Sequence, residues 1–93
     1  PINIEQIQAD NDALIQQVND QITLGTFEAT PTLLQQLVEG LGDPRGLMRL
    51  QFAEYLGEIG EPATPFLLEA LAKHSDVVVR RAAAKTLTIL ADP

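Results

Sequence analysis

Thr30-Pro31-Thr32-Leu33-Leu34-Gln35-Gln36-Leu37 returns as Thr64-Pro65-Phe66-Leu67-Leu68-Glu69-Ala70-Leu71, an offset of 34 residues. In both copies a residue able to cap a helix stands before a proline, whose missing N–H costs nothing at the first helical position. Leucines then follow at the spacing of one helical face. Downstream, Arg49, Ala53, Leu56 and Ile59 return as Arg80, Ala84, Leu87 and Leu90, an offset of 31. The same two-helix unit thus occurs twice, and the first copy carries three extra residues at its turn. A period of 31–34 residues with two helices per unit predicts an all-α chain of the α-solenoid kind. Such a unit cannot bury its apolar face alone and must stack on a neighbour.

On either side of these strings the periodicity stays helical. Asn3, with Gln6 three residues on, is a capping-box-like start for a first helix. Ile4, Ile7, Leu14, Ile15, Val18 and Ile22 form its apolar stripe, Asn11 interrupts it, and Gly25 ends it. The second helix carries Leu33, Leu34, Leu37, Val38 and Leu41, with Gly40 and Gly42 weakening its end. Asp43-Pro44 repeats the cap-and-proline grammar and opens a third helix through Leu47, Met48, Phe52, Leu56 and Ile59, stopped by Gly60. Pro62 and Thr64-Pro65 open the fourth; Ser75-Asp76 caps the fifth, which carries Val78, Val79, Ala82, Ala83, Leu87 and Leu90. About five helices and no strand are expected. They are organised as an N-terminal amphipathic helix (1–25) and two units (26–60 and 61–93). The third and fifth helices are apolar around more than one face, as inner helices between layers should be.

Composition narrows the chemistry. The 93 residues allow one small domain, and 45% apolar with 20% charged residues suits a globular chain. With no cysteine, disulfides, thiolate catalysis and cysteine-held zinc are excluded, and a single histidine excludes a multi-histidine metal cage. The formal charge is −7, and all six bases (Arg45, Arg49, Lys73, Arg80, Arg81, Lys85) follow residue 44, whereas residues 1–44 hold seven acids. That field repels phosphate, and no interleaved aromatic and basic surface exists, so nucleic acid is not an expected partner. No apolar run approaches the roughly 20 residues that span a bilayer, and no basic-then-apolar leader is present. A cytoplasmic protein is the expectation.

The string Leu41-Gly42-Asp43-Pro44, then Arg49, then Ala53-Glu54-Tyr55-Leu56-Gly57-Glu58-Ile59-Gly60 resembles a HEAT repeat. More narrowly, it resembles the short HEAT-like repeats of the phycocyanobilin lyase family of cyanobacteria, which includes phycobilisome-degradation relatives. Pro65-Phe66-Leu67-Leu68-Glu69-Ala70-Leu71, Asp76 and Val79-Arg80-Arg81-Ala82-Ala83-Ala84 are similar in the second unit. The resemblance covers residues 30–92 and leaves the N-terminal helix outside. It implies a right-handed superhelical stack that serves as a protein-protein interaction scaffold. The implied partners are phycobiliproteins or phycobilisome components, with a thylakoid-associated setting if that link holds. The alternative it implies is a subunit or fragment of a bilin lyase or isomerase attaching phycocyanobilin to phycobiliproteins. Such an enzyme needs no cysteine of its own, because the acceptor thiol belongs to the phycobiliprotein. Proteins of this family usually have five or more units; two would leave the last helix with an apolar side outward, open to self-association or to further repeats.

The same resemblance implies a ladder of turn acids and inner-helix arginines, Asp43 with Arg49, then Asp76 with Arg80 or Ser75 with Arg81, read here as structural. His74 reads as a solvated turn residue with no catalytic role. Glu54 and Glu58, one helical turn apart, read as a solvated pair with no further ligands for a metal. Tyr55 is expected at a groove edge with its hydroxyl in water, where it could face a non-covalent bilin or other tetrapyrrole whose propionates meet Arg45 or Arg49. No catalytic residue and no resident cofactor is assigned. The expected partner-binding surface is the inner-helix face: Arg45, Arg49, Glu54, Tyr55 and Glu58, with Arg81 and Lys85 from the next layer.

Overall fold

A computed structural model describes residues 3–91. Five α-helices follow in order: α1 Ile4–Leu24, α2 Pro31–Gly40, α3 Gly46–Ile59, α4 Thr64–Lys73 and α5 Val77–Ala91, with a 3-10 turn Glu61–Ala63 ahead of α4. Their caps follow from the residues. Asn3 Oδ1 accepts from the Gln6 amide, and Gly25 takes the left-handed conformation (φ 73°) that closes α1. Thr30 Oγ1 accepts from the Leu33 amide with Pro31 in the first turn. Asp76 Oδ1 accepts from the Val78 amide at the head of α5.

Two starts differ from the sequence expectation. α4 has no side-chain cap: Pro62 sets up a 3-10 turn, closed by Ala63 N–H donating to the Gly60 carbonyl, which runs straight into the helix at Thr64. α3 begins at Gly46, two residues beyond Pro44, because the Asp43 carboxylate is taken up by Arg45 and Asn11 rather than by the first turn of the helix. Five residues therefore join α2 to α3, against three between α4 and α5.

The helices pair antiparallel as α2 with α3 and α4 with α5. α2 lies beside α4, and α3 beside α5. This is two repeats stacked side by side, an all-α solenoid. The core runs along the stack: Leu37, Leu41, Phe52, Leu56, Leu67 and Ala83 are fully buried. Each large apolar side chain among them contributes on the order of 2 kcal/mol by leaving water. Gly40 does not weaken the end of α2. It lies inside the helix, and a Cβ there would sit 2.5 Å from the Phe52 ring, so the absent side chain is what lets α3 press onto α2. Gly42 likewise leaves room for Val79 at the start of α5.

Against the repeats α1 buries only Val18 fully, with Leu14 and Ile15 partly covered, while Ile4 and Ile22 at the ends of its stripe remain exposed. Polar bonds complete that seam. Asn11, which breaks the stripe in sequence, donates to Asp43 Oδ2 at 2.9 Å, and Tyr55 O–H donates to Asn19 Oδ1. No described helix is long and apolar enough to cross a membrane.

Candidate functional site

The turn between α2 and α3 shows what the arginines do. Asp43 is wholly buried, and its carboxylate accepts from the Arg45 amide (2.8 Å), Arg45 Nε (3.0 Å), Arg45 Nη2 (2.9 Å) and Asn11 Nδ2 (2.9 Å). The Arg45 guanidinium, helped by Asn11 and the Arg45 amide and opposed by burial, holds the Asp43 carboxyl down to about 2. Arg45 also reaches α1, pairing with Asp12 at 2.9 Å and donating to the Gln8 carbonyl. It is a latch between α1 and the first repeat, not a member of the inner-helix face.

The arginine ladder takes a different form from the expected one. Arg49 Nη1 donates to the main-chain carbonyl of Asp43 (2.7 Å), and Arg80 Nη1 to that of His74 (2.6 Å), six residues upstream in each repeat. Each guanidinium thus satisfies a carbonyl in the turn before its helix. No Asp43–Arg49 or Asp76–Arg80 carboxylate pair forms among the described residues. His74 is not a solvated turn residue either. Its Nε2 meets Glu39 of α2 at 2.7 Å and its Nδ1 accepts from the Asp76 amide, which ties the second turn to the first repeat.

Tyr55 also departs from expectation. It is buried on the side of α3 that faces α1, and its hydroxyl bonds to Asn19 instead of water. Burial raises its phenol above the ordinary value of 10.0. A buried tyrosine turned away from the groove between α3 and α5 supplies no stacking face there.

Of the expected surface, Arg49 and Lys85 line that groove, and Glu54, Glu58 and Arg81 do not. It encloses about 530 Å³ and is walled by Leu50, Ala53 and Arg49 from α3 and by Ala82, Lys85 and Ile89 from α5. Glu54 and Glu58 stand exposed on α3, and Arg81 and Lys85 exposed on α5. None of these four is in an ion pair with a described residue. Leu47, counted in the apolar run of the third helix, is 83% exposed, and Leu50 and Ile89 are 53% and 58% exposed. The signal was present. α3 is apolar nearly all round, and the second apolar side faces an open groove rather than another layer.

A second cleft, of about 720 Å³, separates α1 from α2 and was not legible in the sequence, because it exists only where α1 sits off the first repeat. In its walls Asp10, Asn11 and Gln17 stand with Gln35, Gln36 and Glu39, and Leu14, Pro31 and Phe66 add apolar surface.

Two stacked helix pairs with a shared inner face define a helical-repeat fold, and comparison with known proteins places it. HEAT repeats match residues 4–88, so this chain belongs to the HEAT-repeat family, and the match takes in α1 as well as the two units. Over 57 residues the chain is 58% identical to the bilin biosynthesis protein MpeU of Synechococcus sp. (strain WH8020), a stretch amounting to 61% of this chain and 19% of that protein. The chain thus matches less than a fifth of that relative's length. No solved structure matches it.

Proposed function

We propose that this chain is a protein-docking module of bilin metabolism, whose inner helical face holds a phycobiliprotein or another phycobilisome component. The observation that carries this reading is the α3–α5 groove, where Leu50 and Ile89 stand exposed beside Lys85, which forms no ion pair with a described residue. Monomeric proteins rarely leave such contiguous apolar surface open unless something docks on it. The bilin link is supported by the identity with a bilin biosynthesis protein. The same identity favours a second reading, in which the chain is part of a lyase or isomerase that attaches the bilin to a phycobiliprotein thiol.

Mixing the purified chain with an apo-phycobiliprotein, with and without free phycocyanobilin, separates the two. A complex that co-elutes in gel filtration while the bilin stays extractable by denaturation supports docking. A chromophore that survives denaturation only when the chain is present supports the lyase reading. Leu50→Asp with Ile89→Asp, placed on exposed groove residues, should abolish co-elution while the helical circular dichroism is retained. If the double variant binds as well as the parent chain, docking through this groove is refuted.

A further inference from the structure

α1 is held to the repeats at few points. Of its 21 residues only Val18 is buried, and Ile4 and Ile22 at the ends of its apolar stripe stand exposed. Backbone approach is close among α2, α3, α4 and α5 and sparse between α1 and any of them. The cleft of about 720 Å³ between α1 and α2 opens one flank of the helix to water. Polar contacts supply the rest of the seam: Asn11 with Asp43, Arg45 with Asp12 and the Gln8 carbonyl, and Tyr55 with Asn19. Asp12 and Asn19 are exposed, so water readily replaces the bonds they make. α1 carries Glu5, Asp10, Asp12 and Asp20 and no base, and Arg45 is the one cation paired with it among the described residues.

The clasp at Asp43 is built so that α1 can leave it. Three of its four donors, the Arg45 amide, Nε and Nη2, belong to the turn between α2 and α3 and stay in place when Asn11 goes. No carboxylate is then stranded without a partner, the loss that makes breaking a buried ion pair costly. Residues 25–30 join α1 to α2 without helical structure. Gly25 at their head has φ 73°, and Phe27 packs against the core, so the connection can pivot at Gly25 while its far end stays seated. We infer that α1 is a strap across the first repeat, which lifts as a unit while α2–α5 stay folded, baring Tyr55 and freeing Arg45 from Asp12. Segments with few buried apolar contacts open locally at lower cost than the whole fold. Closed, the chain withholds an aromatic ring and holds a guanidinium in pairs; lifted, it presents both on the first repeat. The strap lies away from the α3–α5 groove, and the inference does not depend on the docking reading.

Native-state hydrogen exchange of the whole chain, read residue by residue, tests the strap. Amides in the middle of α1, from Leu14 to Val18, should be about tenfold or more less protected than those of Leu67 and Ala83 in the second repeat. Leu67→Val weakens only the repeats, so it should speed exchange at Ala83 about fivefold and leave the middle of α1 unchanged. Ala83→Gly serves the same purpose should Leu67→Val not fold. Val18→Ala removes the buried anchor of the strap and should speed the α1 amides about tenfold. Tyr55 is the chain's single tyrosine, and its acetylation by N-acetylimidazole, read by mass spectrometry, reports whether the ring is bared. Val18→Ala should accelerate that acetylation by the same factor as α1 exchange, and Leu67→Val should not alter it. If the middle of α1 is as protected as the repeats, or Leu67→Val speeds α1 in step with Ala83, α1 opens only with the whole fold and the inference is overturned. Acetylation of Tyr55 unmoved by Val18→Ala, with α1 exchange raised, would also overturn it, because the helix would then unwind without lifting.

Discussion

Asp43 shows how one residue can join three elements. Its carboxylate has no water access and four donors, from Arg45 and from Asn11 of α1. Because its carboxyl is held at about 2 in the fold against 3.8 in a free chain, the stabilisation is fully present above pH 4 and is lost as pH falls toward 2. The difference corresponds to about 2 kcal/mol. Asp43→Asn should therefore cost about 2 kcal/mol in urea denaturation at pH 7. It should also flatten the decline in stability between pH 4 and pH 2, and an unaltered acid limb would refute the assignment. Tyr55, the chain's single tyrosine, gives the opposite sign at the other end of the scale. Its phenol is raised by burial, so the fold favours the neutral form and loses stability as pH rises past about 10. Ultraviolet titration should show the phenol ionising later in the native chain than in urea. Tyr55→Phe should cost about 1 kcal/mol through the lost bond to Asn19.

Between α2 and α3 the decisive feature is the missing Cβ of Gly40 beneath the Phe52 ring. Gly40→Ala raises intrinsic helix propensity but places a methyl group 2.5 Å from ring carbons in a packed core. Overpacking should win, destabilising the chain by about 1–3 kcal/mol, and Phe52→Leu in the same chain should recover part of the loss. A stabilised Gly40→Ala would show that the two helices are not in close approach. This scale also shows what the sequence could and could not disclose. The helices, their order and their stacking were legible because Thr30-Pro31 and Thr64-Pro65 mark equivalent starts, and the leucines after them face one core. The role of Gly40 was not, since close approach depends on what lies opposite. Nor was the fate of Tyr55: its spacing fits either side of α3, and only the position of α1 decides that it is covered. The groove was half legible. Arg49 and Lys85 are visible as inner-helix charges, while the exposed state of Leu47, Leu50 and Ile89 follows from the absence of a layer above them.

The molecule as a whole is a short stack with unlike seams. The two repeats share an apolar core, α1 rests on the first through polar bonds around Val18, and the inner face is left open. Function by docking requires that open face to be the part that changes when a partner arrives. Methyl-labelled leucine and isoleucine spectra of the whole chain, recorded on addition of an apo-phycobiliprotein, test this most directly. The account predicts shifts concentrated at Leu47, Leu50 and Ile89, with Leu68 and Leu71 of α4 and Ile22 and Leu24 at the end of α1 unmoved. Shifts centred on those last four, with the groove methyls unchanged, would contradict it.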